Sequence, residues 1–183
     1  MKDGIIKVAT ASPALRVADC QYNGEQIMKA MEEAAAQKAK LLVLPELSVT
    51  GYTCGDLFLQ QALLQGARDT LMEIAKFSKG LSLLTFVGVP LVNNGKLYNC
   101  AAAVYEGKVL GVVPKTNLPN YAEFYEARNF MSAPEKNTTI LLGDEEVPFG
   151  SKLLFRCSEL QEFCVGAEIC EDLWVPVSPS ASH

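Results

Sequence analysis

The sequence holds one histidine, His183, and it is the last residue. A Ser–His–Asp or Cys–His site needs an imidazole inside the fold, so both are excluded. A zinc centre of the usual histidine-bearing kind is excluded for the same reason. No stretch approaches the roughly 18 uninterrupted apolar residues of a membrane-spanning helix. The N-terminal apolar run stops at Ala11, too short for a signal-peptide core. The chain therefore reads as cytoplasmic and independent of a membrane. A basic stripe is also missing: 16 Lys and Arg are scattered among 21 Asp and Glu, for a net charge of −5. Nothing would track a phosphate backbone, which removes nucleic acid from the expected partners. The six cysteines, Cys20, Cys54, Cys100, Cys157, Cys164 and Cys170, form no CxxC pair. They read as free thiols of a reducing compartment.

What is present is an ordinary globular composition, 49% hydrophobic and 20% charged over 183 residues. That length suits a single domain over residues 1–183 with one real core. Ile5–Ala11 reads as a strand. Asn23, with Gln26 three residues on, resembles a capping box that opens a helix running to about Ala39. Ile27, Met28, Met31 and Ala35 fall on its buried side. Leu41–Pro45 is a short continuous apolar run, expected as a strand covered on both faces. Helical sequence follows from Leu57 to Lys79, with Gly80 at the C-terminal cap. LLTFVGVPLV, KLYNCAAAVYEG and KVLGVVPK then read as a meander turning at Asn94-Gly95 and Glu106-Gly107. Residues Asn117–Asn129 read as loop with one helical turn, and Ser132–Gly150 as loop around a strand near Thr139–Leu142. SKLLFRC and FCVGAEIC are the last expected strands, and the tail VPVSPSASH is expected to fray. Alternating strands and helices followed by hairpins predict an α/β fold with a mixed sheet.

Three polar residues each follow an apolar, strand-like run: Glu46 after LLVLP, Lys115 after VLGVVP and Cys170 after CVGAEI. Ligand sites of α/β sheets form at the carboxyl ends of strands, so the three can converge. Their chemistry is coherent. A cysteine thiolate attacks a carbonyl, a carboxylate takes its proton and returns it to the leaving amine, and an ammonium stabilises the oxyanion. The backbone N–H of Glu171 supplies a second oxyanion donor. Taken singly, each residue has a plainer reading: a packed thiol, a surface carboxylate, a solvated lysine. Tyr121, Phe124 and Tyr125 have one too, as aromatics packing a loop.

The segments LPELSVTGYTCGDLF, PKTNLPNYAEFYEARNF and GAEICEDLW resemble the three signature segments of the nitrilase (carbon–nitrogen hydrolase) superfamily. More narrowly, they resemble the glutaminase domains of bacterial glutamine-dependent NAD synthetases. Three long motifs in order over the whole chain are a specific signal. The resemblance implies a nitrilase-like αββα sandwich with mixed sheets, incomplete at the C-terminus, because that domain continues well past the cysteine. It implies Glu46 as general base, Lys115 as the catalytic lysine and Cys170 as nucleophile. Glu126 resembles the carboxylate that positions the lysine, grouped with the substrate-side residues. Tyr121 and Phe124 resemble glutamine contacts, and Glu171 the oxyanion donor.

The implied reaction is hydrolysis of the glutamine side-chain amide through a cysteine thioester. Its ammonia would pass to a synthetase domain, absent from this chain, that acts on deamido-NAD. No cofactor is implied for this domain; ATP and magnesium belong to the synthetase domain. A homo-oligomer is implied as well. Two alternatives stay open: another carbon–nitrogen hydrolase, such as an ω-amidase or carbamoyl-amide hydrolase, or a catalytically incomplete fragment acting as scaffold.

Overall fold

A computed structural model describes residues 4–183. Seven strands form one mixed sheet in the order β1-β2-β3-β4-β5-β7-β6. They are β1 (Val8–Thr10), β2 (Leu41–Val43), β3 (Leu84–Asn93), β4 (Lys96–Tyr105), β5 (Lys108–Pro114), β6 (Thr138–Leu142) and β7 (Glu145–Phe149). β1, β2 and β3 run parallel, and β3, β4 and β5 antiparallel. β2 and β5 therefore point the same way, and their carboxyl ends lie on one edge of the sheet. The two meander turns form as expected. Asn94-Gly95 and Glu106-Gly107 both take positive φ at both positions, the backbone that matches a right-handed strand twist.

Helices α1 (Cys20–Ala36) and α2 (Gln61–Phe77) pack together on one face of this sheet. Ile27 and Met31 of α1 and Leu71 and Ile74 of α2 are fully buried with Leu42, Val87 and Val89. Each such side chain contributes about 1.5–3 kcal/mol relative to exposure. The other face carries a second, two-stranded sheet, β8 (Phe155–Arg156) against β9 (Cys164–Val165). Phe155 of β8 meets Phe86 edge-on at 5.5 Å. Phe86, Ala103, Val113 and Ile169 are buried outside the helix-side cluster. Among the described residues no helix is long and apolar enough to cross a membrane.

Several sequence expectations shift. α1 opens at Cys20, not Asn23, because the Asp19 side chain already accepts the Tyr22 N–H. Asn23 is buried instead: it accepts from the Arg16 N–H and donates to the carbonyls of Arg16 and Val49. The helix expected from Leu57 breaks at the extended Gln60 into a 3₁₀ turn, Gly55–Leu59, and α2. Gly80 does turn left-handed, φ +85, two residues beyond the helix cap Ser78. The strand expected to be covered on both faces is covered on one: Leu42 is 0% exposed and Val43 41%. β8 and β9 lie over the β3–β5 side and leave β2 open. Ser132–Gly150 contains a hairpin rather than one strand. Pro148 disguises β7 in the sequence, and it is tolerated because only Phe149 has a ladder partner in β5. SKLLFRC and FCVGAEIC shrink to two paired residues each. The tail does not fray: Pro179–Ser182 forms a 3₁₀ turn, with the Ser180 N–H donated to Glu168.

One glycine controls the passage of the chain toward the site. A Cβ on Gly88 would overlap the Pro45 carbonyl oxygen and the Leu47 nitrogen, both backbone atoms. Gly88→Ala is expected to lower stability by about 1–3 kcal/mol through this overpacking. Urea unfolding of the variant beside the parent checks it; an unchanged midpoint would contradict the close approach.

Candidate active site

Glu46, Lys115, Glu126 and Cys170 come from four separate segments. Glu46 lies three residues beyond β2, on a turn where Leu47 takes φ +51. Lys115 directly follows β5, and its N–H is donated to the Asn99 carbonyl of β4 at 2.8 Å. Glu126 opens the short helix α3 (Glu126–Asn129). Cys170 opens the 3₁₀ turn Cys170–Leu173 at φ +49. A left-handed non-glycine residue costs on the order of 1–3 kcal/mol and persists only where its surroundings hold it.

The Lys115 side chain is 0% exposed. Its Nζ donates to Glu46 Oε1 and to Glu126 Oε1, each at 2.7 Å. A lone buried ammonium would be prohibitive; two carboxylates compensate it. Burial acts to lower the Lys115 pKa, but the hydrogen bonds and charges of Glu126 and Glu46 outweigh it and the net shift is upward. The ammonium thus stays charged at neutral pH. Its contribution to stability is complete below the ordinary lysine value and is lost only as pH rises through the higher folded value.

Both carboxylates have a further donor. Asn99 Nδ2 donates to Glu46 Oε1, and the Tyr52 hydroxyl to Glu126 Oε1 at 2.8 Å. Burial, then the hydrogen bond and charge of Glu126, push the Tyr52 phenol far upward, so it remains a donor. Neither Asn99 nor Tyr52 stands out by residue chemistry. The one available signal for Asn99 is a polar residue inside the apolar run LYNCAAAV.

Glu46 and Cys170 line one cavity of about 390 Å³ with Val43, Phe86, Ala167 and Ile169. Cys170 is exposed, but partial desolvation of its sulfur raises its pKa; the Lys115 charge and the Glu171 backbone N–H oppose this, and Glu46 and Glu126 add to it. The net shift is upward, so the resting group is a thiol and needs a base to become a nucleophile. Glu46 is the carboxylate that shares its cavity. The Glu171 backbone N–H lies beside the sulfur.

The expected substrate-side residues separate. Tyr121 donates its hydroxyl to Glu171 Oε2 at 2.9 Å and packs edge-on to Phe124 at 5.7 Å. This bridge ties the loop after Lys115 to the turn of Cys170. Glu126 is buried on Lys115 and Tyr52. It sits as the second carboxylate of the lysine. Tyr125 is exposed.

The chain belongs to the carbon–nitrogen hydrolase family: the family model matches residues 7–181. Relatives carry a more particular name. The glutamine-dependent NAD(+) synthetase of Mycobacterium bovis is 38% identical over 178 residues, 97% of this chain and 26% of that protein. The Thermotoga maritima protein of the same name is 32% identical over 100% of this chain and 28% of its own length. The crystal structure of the Cytophaga hutchinsonii glutamine-dependent NAD(+) synthetase superposes with a TM-score of 0.83. Its identity is 34%, over 91% of this chain and 28% of that one. The chain thus spans about a quarter of the length of the relatives it matches.

Lys115→Met leaves Glu126 buried without its cation. It is expected to lower stability by about 3–5 kcal/mol and to raise further the pH at which Cys170 reacts with iodoacetamide, because the lysine charge that opposes the upward shift is gone. Urea unfolding and alkylation rates against pH check both; an unmoved alkylation profile would contradict the electrostatic coupling.

Proposed function

We propose that this chain hydrolyses the side-chain amide of glutamine through a thioester on Cys170. The observation that carries this is that Glu46 and Cys170 line one cavity while Glu46 also binds Lys115, a lysine buried between two carboxylates. In the proposed cycle Glu46 takes the Cys170 proton as the sulfur attacks the amide carbon. The tetrahedral oxyanion is met by Lys115 Nζ, which has one N–H beyond its two carboxylate bonds, and by the Glu171 N–H. Collapse breaks the carbon–nitrogen bond while Glu46 returns the proton to the leaving amine, and ammonia departs. Water, deprotonated by Glu46, then cleaves the thioester to glutamate and restores the thiol. No histidine is required at any step.

The choice of glutamine rests on the named relatives, all glutamine-dependent NAD(+) synthetases. In this proposal the ammonia serves NAD synthesis from deamido-NAD in a synthetase domain that carries its own ATP and magnesium. Tyr121, hydrogen-bonded to Glu171, and Phe124, packed on Tyr121, are the side chains proposed to meet the substrate. The proposed setting is a cytoplasmic homo-oligomer.

Ammonia release from glutamine tests the proposal. Glu46→Gln is expected to lower the rate by about 10²–10⁴-fold, the usual worth of a general acid–base. Cys170→Ala is expected to remove it while leaving the melting temperature in place. Glutamine should also protect Cys170 from a glutamine-analogue alkylator, where a simple aliphatic amide does not. Equal protection by the aliphatic amide would favour a different carbon–nitrogen hydrolase, and unchanged turnover in Cys170→Ala would sink the mechanism.

A further inference from the structure

We propose that Asp172 is a positioning residue that sets the spacing between the nucleophile turn and the lysine; this rests on the amidohydrolase reading above. Asp172 lies two residues after Cys170 and is 2% exposed. It does not line the cavity that Glu46 and Cys170 share. Its Oδ1 accepts from the Thr116 N–H at 3.1 Å, the Asn117 N–H at 2.7 Å and Asn117 Nδ2 at 2.9 Å. Oδ2 accepts from the Thr116 N–H and the Ile169 N–H, each at 3.3 Å. One carboxylate thus holds the residue before the nucleophile and the two residues after the lysine.

Among the described residues no lysine or arginine pairs with Asp172. Its acceptor sites are filled by N–H donors alone, in the manner of an anion in a backbone nest. A structural ion pair would tie two side chains; this carboxylate ties two stretches of backbone, each carrying a catalytic side chain. The nucleophile turn has one other side-chain tie to the loop after Lys115, the exposed Tyr121–Glu171 hydrogen bond. It is four residues long, begins in a left-handed residue and has no side-chain cap beyond this carboxylate. Lys115, by contrast, is pinned independently by Glu46 and Glu126. Loss of the Asp172 link therefore moves Cys170 relative to a lysine that stays in place. A misplacement of about 1 Å at a reacting group costs on the order of 10²-fold in rate.

The test uses Asp172→Ala and Asp172→Asn in the full-length protein, with Asn117→Ala as the mildest change. Asp172→Ala is expected to lower kcat for glutamine about 10²-fold with KM nearly unchanged. Its Cys170 alkylation profile should move to higher pH, because the lysine charge no longer faces the sulfur at the native distance. Asp172→Asn keeps one acceptor oxygen for Thr116 and Asn117 and loses the Ile169 bond, so it should recover part of the rate. It also preserves shape and keeps the test open where the alanine variant fails to fold. A native kcat in Asp172→Asn, or a loss that tracks the melting temperature with an unshifted alkylation profile, would overturn the proposal. Should the parent protein release no ammonia from any amide, the functional reading fails, while the alkylation profiles still decide the role of Asp172.

Discussion

A lysine with no exposed surface sits between two carboxylates at the end of β5, and the site is organised around that charge. Removing the ammonium would leave Glu126 buried and Glu46 half-buried without a cation; removing one acid would leave the ammonium underpaired. The arrangement holds because each partner has its own anchor. Asn99 supports Glu46 and also accepts the Lys115 backbone N–H, while Tyr52 supports Glu126. The sheet gives the geometry: β2 and β5 run in the same direction, so the segments leaving them reach the same edge. Gly88 lets the Glu46 turn lie directly on the sheet face.

The same charge acts on the state of Cys170. Partial desolvation and two acids hold Cys170 as a thiol, and the lysine and the Glu171 N–H limit how far they do so. A resting thiol beside a carboxylate suits a mechanism in which one base moves the proton in both directions. It also protects the sulfur from the reactions of a free thiolate. Cys170 lines the cavity from a left-handed backbone position, and Asp172 and the Tyr121–Glu171 bridge keep its turn against the loop after Lys115.

Much of this was legible in the sequence, for physical reasons that differ by element. Asn94-Gly95 and Glu106-Gly107 were readable because a two-residue hairpin demands left-handed residues there. Glu46, Lys115 and Cys170 were readable because each follows an apolar run and because the absent internal histidine leaves a carboxylate as the available base. Asn23 misled because its side chain spends its bonds on Arg16 and Val49, a tertiary role that local capping patterns do not encode. β7 was hidden by Pro148, whose cost depends on which residues have ladder partners. The roles of Asn99, Tyr52 and Asp172 exist only between segments distant in the chain, so no spacing rule announces them. The family resemblance named the candidate active residues; the hydrogen bonds supply the reason they stay in register.

The account stands or falls on a covalent bond at Cys170. Acid quenching of the protein during turnover of glutamine, followed by intact-mass and peptide mapping, reads it most directly. A glutamyl adduct on the Cys170 peptide, absent in Cys170→Ala and cleared when glutamine is exhausted, is the predicted result. Ammonia release with no adduct at any time under conditions that slow thioester cleavage, or an adduct on another cysteine, would contradict the mechanism.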